Sequence, residues 1–167
     1  MNEPKQLLDR VLEVLRARGA EGDAWLEERS RVDTSLRDGK VESISRAESR
    51  GLAVRAMSEG RLGFCHTARV DLAGVAEAAA KACDLARAGS PRDDLALAPP
   101  AGPGDGSDEG AALQRFDPTV PEITPEHRAD WLRRAEATAR AHDPRVVRTE
   151  AAWWGDGSGS VWIANTN

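Results

Sequence analysis

The chain predicts an α+β fold: an antiparallel β-meander plus a further hairpin, with about three helices packed mainly on one sheet face. Three observations carry that prediction. Residues 5–18 place Leu7, Leu8, Val11, Leu12 and Leu15 at helical spacing. Two alternating apolar runs, Leu52/Val54/Ala56 and Leu62/Phe64, flank the tight Glu59-Gly60 connection and read as a hairpin. An Ala-rich helical pattern follows from Asp71, and a third opens at Thr124-Pro125.

The first helix ends where Gly19 offers a left-handed cap. From Ala24 the pattern turns extended, with Trp25, Thr34 and Leu36 ahead of Asp38-Gly39, a dipeptide suited to the positive backbone angles of a type I′ turn. A second strand is predicted over 40–49, then the Glu59-Gly60 hairpin, giving a meander of about four strands. Asp71 is an N-cap for a helix whose Leu72, Val75, Ala76, Ala79, Cys83 and Ala86 lie on one stripe. Its many alanines allow a close approach to the sheet. Thr124 and Pro125 supply a cap and an N1 proline for a helix marked by Trp131, Leu132, Ala135 and Ala139 and stopped at Asp143-Pro144. Residues 146–154 and 160–165 read as two strands joined by Gly155-Asp-Gly-Ser-Gly159.

The 167 residues suit one domain, 1–167, with a flexible Pro/Gly-rich loop over 89–121 inside it. The last predicted strand runs to Asn167 with no helix, glycine or polar tail after it, which predicts a fragment of something longer.

Hydrophobic residues make up 40% and charged residues 31%, usage that argues against global disorder or a fibrous protein. No apolar run is long enough for a membrane span, and the amino terminus lacks the basic-then-apolar pattern of a signal peptide. Cys65 and Cys83 do not make a disulfide framework. A reducing, cytoplasmic setting fits. The net charge is −5, with both signs interleaved, so no basic footprint for nucleic acid is present.

Several motifs suggest chemistry, and each has a plainer reading. Cys65-His66 looks like a nucleophile and its base, but consecutive strand residues point to opposite faces and cannot form a dyad. His127 and His142 lie about 22 Å apart along one predicted helix at 1.5 Å per residue and cannot share an ion. No His-Glu-x-x-His or Cys-x-x-Cys spacing adds ligands. The glycines of 155–159 lack the lysine and following helix of a phosphate loop. The acid pairs Glu27-Glu28, Asp93-Asp94 and Asp108-Glu109 read as solvated charge. No catalytic, cofactor-binding or metal-binding residue is therefore assigned to this chain. Trp153, Trp154 and Trp162 are the strongest local pointer: large rings on both faces of a strand are hard to hide, so partner or interdomain contact is assigned to them.

The order and spacing of five pieces resemble the amino-terminal domain of the TldD/PmbA family of metallopeptidase-like proteins, once described as modulators of DNA gyrase. They are Leu36-Arg-Asp-Gly-Lys-Val-Glu-Ser43, the stretch 51–67, Ala86-Arg-Ala-Gly-Ser-Pro91, Asp143-Pro-Arg-Val146 and Val161-Trp-Ile-Ala-Asn165. Ser90-Pro91 and the closing Ala164-Asn-Thr-Asn167 look more like the PmbA branch, also called TldE, than the TldD branch. The resemblance implies that the zinc-binding His-Glu to His helix belongs to the TldD branch and lies beyond this domain. Zinc would then sit in the full-length protein or its partner, with none held by this chain.

Taken with the absence of catalytic residues, the resemblance implies a non-catalytic domain. Its role would be pairing with a TldD-like subunit or with itself as a dimer, and enclosing a peptide or unfolded protein substrate. An open strand edge in such a domain could hold an extended peptide by strand addition. Two other readings stand beside this one: the amino-terminal domain of a catalytic TldD-type zinc metallopeptidase, and a stand-alone protein-interaction module. The mixed charge gives the old gyrase label no support as a DNA-binding claim.

Overall fold

The computed structural model describes residues 3–99 and 116–167. Among the described residues the elements are α1 (Pro4–Ala17), β1 (Glu21–Arg37), β2 (Lys40–Ser58), β3 (Arg61–Thr67), α2 (Leu72–Ala88), a short 3-10 turn (Val120–Glu122), α3 (Pro125–His142) and β4 (Ala152–Asn165). The strands form one sheet in the order β3-β2-β1-β4. Residues Leu52 to Ser58 of β2 pair antiparallel with Thr67 to Arg61 of β3. At the other side Thr166 N–H donates to Gly22 O, so the end of β4 meets the start of β1. Three helices and an antiparallel sheet are the α+β class the sequence predicts. No helix among the described residues is long and apolar enough to cross a membrane.

Both tight turns have the predicted geometry. Asp38 and Gly39 have φ of 50° and 75°, and Glu59 and Gly60 have φ of 52° and 70°. Two consecutive positive angles are the signature of type I′, whose twist matches that of the flanking strands. Helix α1 closes as predicted too: Ala20 N–H reaches Leu15 O and Gly19 N–H reaches Arg16 O, the paired bonds of a Schellman cap.

The strands differ from the prediction in two places. The two strands expected over 40–58 are one, β2, because nothing between Ser49 and Gly51 interrupts the ladder. The further hairpin of 146–154 and 160–165 is also a single strand, β4, and 145–151 are outside it. Gly155-Asp-Gly-Ser-Gly159 is strand interior. A Cβ on Gly155 would come within 2.4 Å of the Trp153 ring and 2.7 Å of Asp33 Oδ1. Glycine here marks close approach inside a strand, which in sequence looks like a turn.

The chain divides into two compact units, with β1, β2 and β4 contributing to both. Unit 1 comprises Met1–Glu28, Ser49–Gly106 and Ser160–Asn167. Its core joins Leu7, Val11 and Leu15 of α1 and Val75, Ala79 and Cys83 of α2 to Leu26, Leu52 and Val54 of the sheet. Asp71 caps α2 through Gly74 N–H at 2.6 Å. The buried stripe of α2 is Gly74, Val75, Ala78, Ala79, Ala82, Cys83 and Ala86, rotated from the predicted one, and Leu72 is exposed. The rotation follows from Gly63: a Cβ there would lie 2.0 Å from Ala82 O and 2.3 Å from Ala86 N. The smallest residues of α2 must therefore face β3, and the larger Leu72 is turned out.

Unit 2 comprises Arg29–Glu48 and Ser107–Gly159. Thr124 caps α3 by accepting from His127 N–H at 3.3 Å, and the helix ends at His142 before Asp143. Its buried residues are Arg128, Ala129, Leu132 and Glu136, whereas Ala135 and Ala139 are exposed and Trp131 is 38% exposed. The inward face of α3 carries two charged groups, so apolar spacing alone misplaces it.

Of the loop expected over 89–121, residues 100–115 lie outside the described residues, and the acid pair Asp108-Glu109 with them. On the near flank Arg92 N–H donates to Gly60 O at 2.7 Å, and Ala98 O accepts from the side chains of Asn165 and Asn167.

Candidate interface

The sequence assigns Trp153, Trp154 and Trp162 to contact, and strand alternation sends them to different surroundings. Trp153 is 58% exposed. Its ring lies along the strand over Gly155, and the Arg31 guanidinium stands 5.4 Å from the ring centroid. Trp154 points the other way, half-buried against Leu36, Ala129 and Leu132. Its Nε1–H donates to Asp156 Oδ2 at 2.9 Å, and the Trp131 ring is 4.8 Å away. Trp162, in unit 1, is half-buried against the core there and borders a groove with the first turns of α1, including Pro4 and Leu8. Of the three, Trp153 alone is exposed.

Beside Trp154 lies the one pair of strongly buried charges described in unit 2. Arg128 Nε and Nη2 donate to the two oxygens of Asp156 at 2.6 and 2.9 Å, with both side chains almost out of water. The fork geometry matches carboxylate on both prongs. These bonds hold the Asp156 carboxyl below the usual carboxylate range and raise Arg128, against an opposing push from burial in each case. Arg128 and Asp156 also border a cleft of about 390 Å³ with Val32, Ile44 and Ile123. Further along α3, Glu136 accepts from Gly39 N–H at 2.7 Å and from the Thr149 hydroxyl at 3.0 Å, fastening the β1–β2 turn. The sequence reading missed Arg128, Glu136 and Asp156. The spacing of Arg128 and Glu136 on α3, i and i+8 on the Leu132 face, is the signal that was available for those two.

Unit 1 has a second exposed feature that the sequence reading did not select. The residues of β1, β3 and β4 that point away from the helices include Trp25 (45% exposed), Phe64 (56%), Val161 (45%) and Ile163 (61%). Polar groups on the same face include the ion pair of Arg55 and Asp23. Cys65 and His66 sit as alternation requires: Cys65 packs against the core, while His66 is exposed near the Phe64 ring. Burial raises the Cys83 thiol above its ordinary value. Glu28 and Asp94 are in ion pairs with Arg50 and Arg92. Among the described residues no three His, Cys, Asp or Glu side chains gather as metal ligands.

Residues 23–86, from β1 through most of α2, match the family model for PmbA/TldA metallopeptidase domain 1. The match does not separate the two branches. No curated protein matches the sequence. Among solved structures the fold is shared with a Bacteroides thetaiotaomicron protein described as a modulator of DNA gyrase, at TM-score 0.80 and 19% identity over 99% of this chain and 37% of that one. A Thermotoga maritima protein described in the same way gives TM-score 0.74 and 15% identity over 97% of this chain and 35% of that one. TldE from Thermococcus kodakarensis gives 0.77 and 16% over 96% and 35%. The chain thus spans little more than a third of the length of each.

Proposed function

We propose that the chain acts as the non-catalytic amino-terminal domain of a PmbA/TldE-like component of a TldD/TldE-type metallopeptidase complex. Its work is subunit assembly and enclosure of a peptide or unfolded substrate in the cytoplasm, with zinc held by a TldD-like subunit. The observation that supports this most is the domain 1 match over 23–86, joined to a fold shared with TldE over nearly the whole chain.

Trp153 is the residue with the exposure an interface anchor needs. Mixing the full-length protein with a TldD-like subunit tests the reading by light scattering, metal analysis and peptide hydrolysis. A stable complex, zinc only in the TldD-like subunit and hydrolysis that follows that subunit are expected. Stoichiometric zinc and peptide hydrolysis by this protein alone would overturn the proposal in favour of a catalytic TldD-type parent. Trp153→Ala is expected to weaken pairing without changing the unfolding midpoint.

A further inference from the structure

We infer that the bare sheet face of unit 1 is covered, in cis, by the part of the polypeptide that follows this domain. The inference rests on the amino-terminal-domain reading above. One face of this sheet region is sealed by α1 and α2, where Leu26, Leu52 and Val54 are fully or almost fully out of water. The other carries Trp25, Phe64, Val161 and Ile163, each 45–61% exposed. The Thr166–Gly22 bond sets β4 against β1 so that Ile163 stands level with Trp25. Across β2, Ala53 is paired with His66 and Arg55 with Phe64. Ile163 and Trp25 therefore form an apolar surface that reaches Ala53 and His66, with Phe64 beyond it next to Arg55 of the ion pair.

A slot of about 300 Å³ crosses this surface, floored by Gly51 and Ala53 and bordered by Trp25 and His66. A Cβ on Gly51 would meet only Thr67 O, at 3.8 Å. The chain's own packing does not require glycine there. The missing side chain leaves room for one from another segment.

The choice of occupant follows from area and length. Side chains of this size, about half exposed, present on the order of 400 Å² of apolar surface, enough to mark an interaction site. A stable dimer needs about 800 Å² per partner, roughly twice that. A tethered segment needs less, because a tether raises its effective concentration, to about millimolar for a short flexible one. The solved chains that share this fold have only 35–37% of their length aligned with it, so most of such a polypeptide is available as cover.

Carbene footprinting with mass spectrometry tests this, on the 167-residue chain and on the longer gene product containing it. Labelling of Trp25, Phe64 and Ile163 is expected to fall about fivefold in the longer product, the change from half-exposed to buried, with Val147 unchanged. Gly51→Leu, which fills the slot, is expected to restore labelling of Trp25 in the longer product. Undiminished labelling in a longer product overturns this inference and leaves the domain reading intact. A reading frame that stops at Asn167 overturns both. Protection in the short chain that grows with its concentration assigns the face to a second copy instead.

Discussion

In unit 1, Leu7, Val11, Leu15, Leu26, Val54 and Val75 are entirely out of water and belong to one apolar cluster. Unit 2 has an apolar centre of Leu36, Ala129 and Leu132, with Trp154 and Ala152 at its margin. The other buried residues described in it are polar: Thr34, Arg128 on Asp156, and Glu136 on Gly39 and Thr149. Apolar burial is non-directional and tolerates small shifts, whereas a buried ion pair stabilises only when both partners are present and aligned. The units should therefore fail in different ways.

The largest expected effect is in unit 2. Arg128→Met leaves Asp156 buried without its cation and should cost about 3–5 kcal/mol. The double variant Arg128→Met/Asp156→Leu should recover most of that loss in urea unfolding. If the double variant is as unstable as the single one, the pair is not what holds the region. In unit 1, Leu15→Ala should cost about 2–5 kcal/mol through lost burial and a residual cavity. No second change of charge is expected to rescue it, which is how the two units are told apart.

Acid is the next probe. The Asp156 carboxyl is held below its ordinary value, mainly by Arg128, so its folded pKa lies under the unfolded one of about 3.9. Its contribution is fully present above about pH 4 and is lost as pH falls through the folded value. Protection of the α3 amides from hydrogen exchange, taken relative to their intrinsic rates, should fall on that descent, and Asp156→Asn should remove this part of the pH dependence. An unchanged acid profile in Asp156→Asn would assign the effect to other carboxylates. The smallest effect is at the start of α3, where Thr124→Ala removes a cap worth about 1 kcal/mol and should be visible as a lower urea midpoint.

The same contrast explains what was legible in the residues. Helix α1, both type I′ turns and the caps Asp71 and Thr124 rest on interactions within a few residues, and each occurs where the sequence places it. The inward stripe of α2 was misplaced because it is set by the approach of Gly63 to Ala82 and Ala86, residues far off in the chain. The continuity of β4 was missed because alternate glycines signal a turn locally, yet here give room for the Trp153 ring and for β1. Strand alternation in the sequence placed Trp153 and Trp154 on opposite faces, as the structure has them. The sequence reading passed over Trp25, whose exposure depends on which face the helices cover.

By itself the sequence determined the α+β class, the three helices and the two tight turns, since periodicity, capping and turn chemistry act over a few neighbouring residues. Tertiary structure alone decided that β2 and β4 run unbroken, that Arg128 meets Asp156, and that unit 1 keeps one apolar sheet face in water. Those features join residues distant in sequence, and the free energy that selects them exists only once the chain has closed the distance.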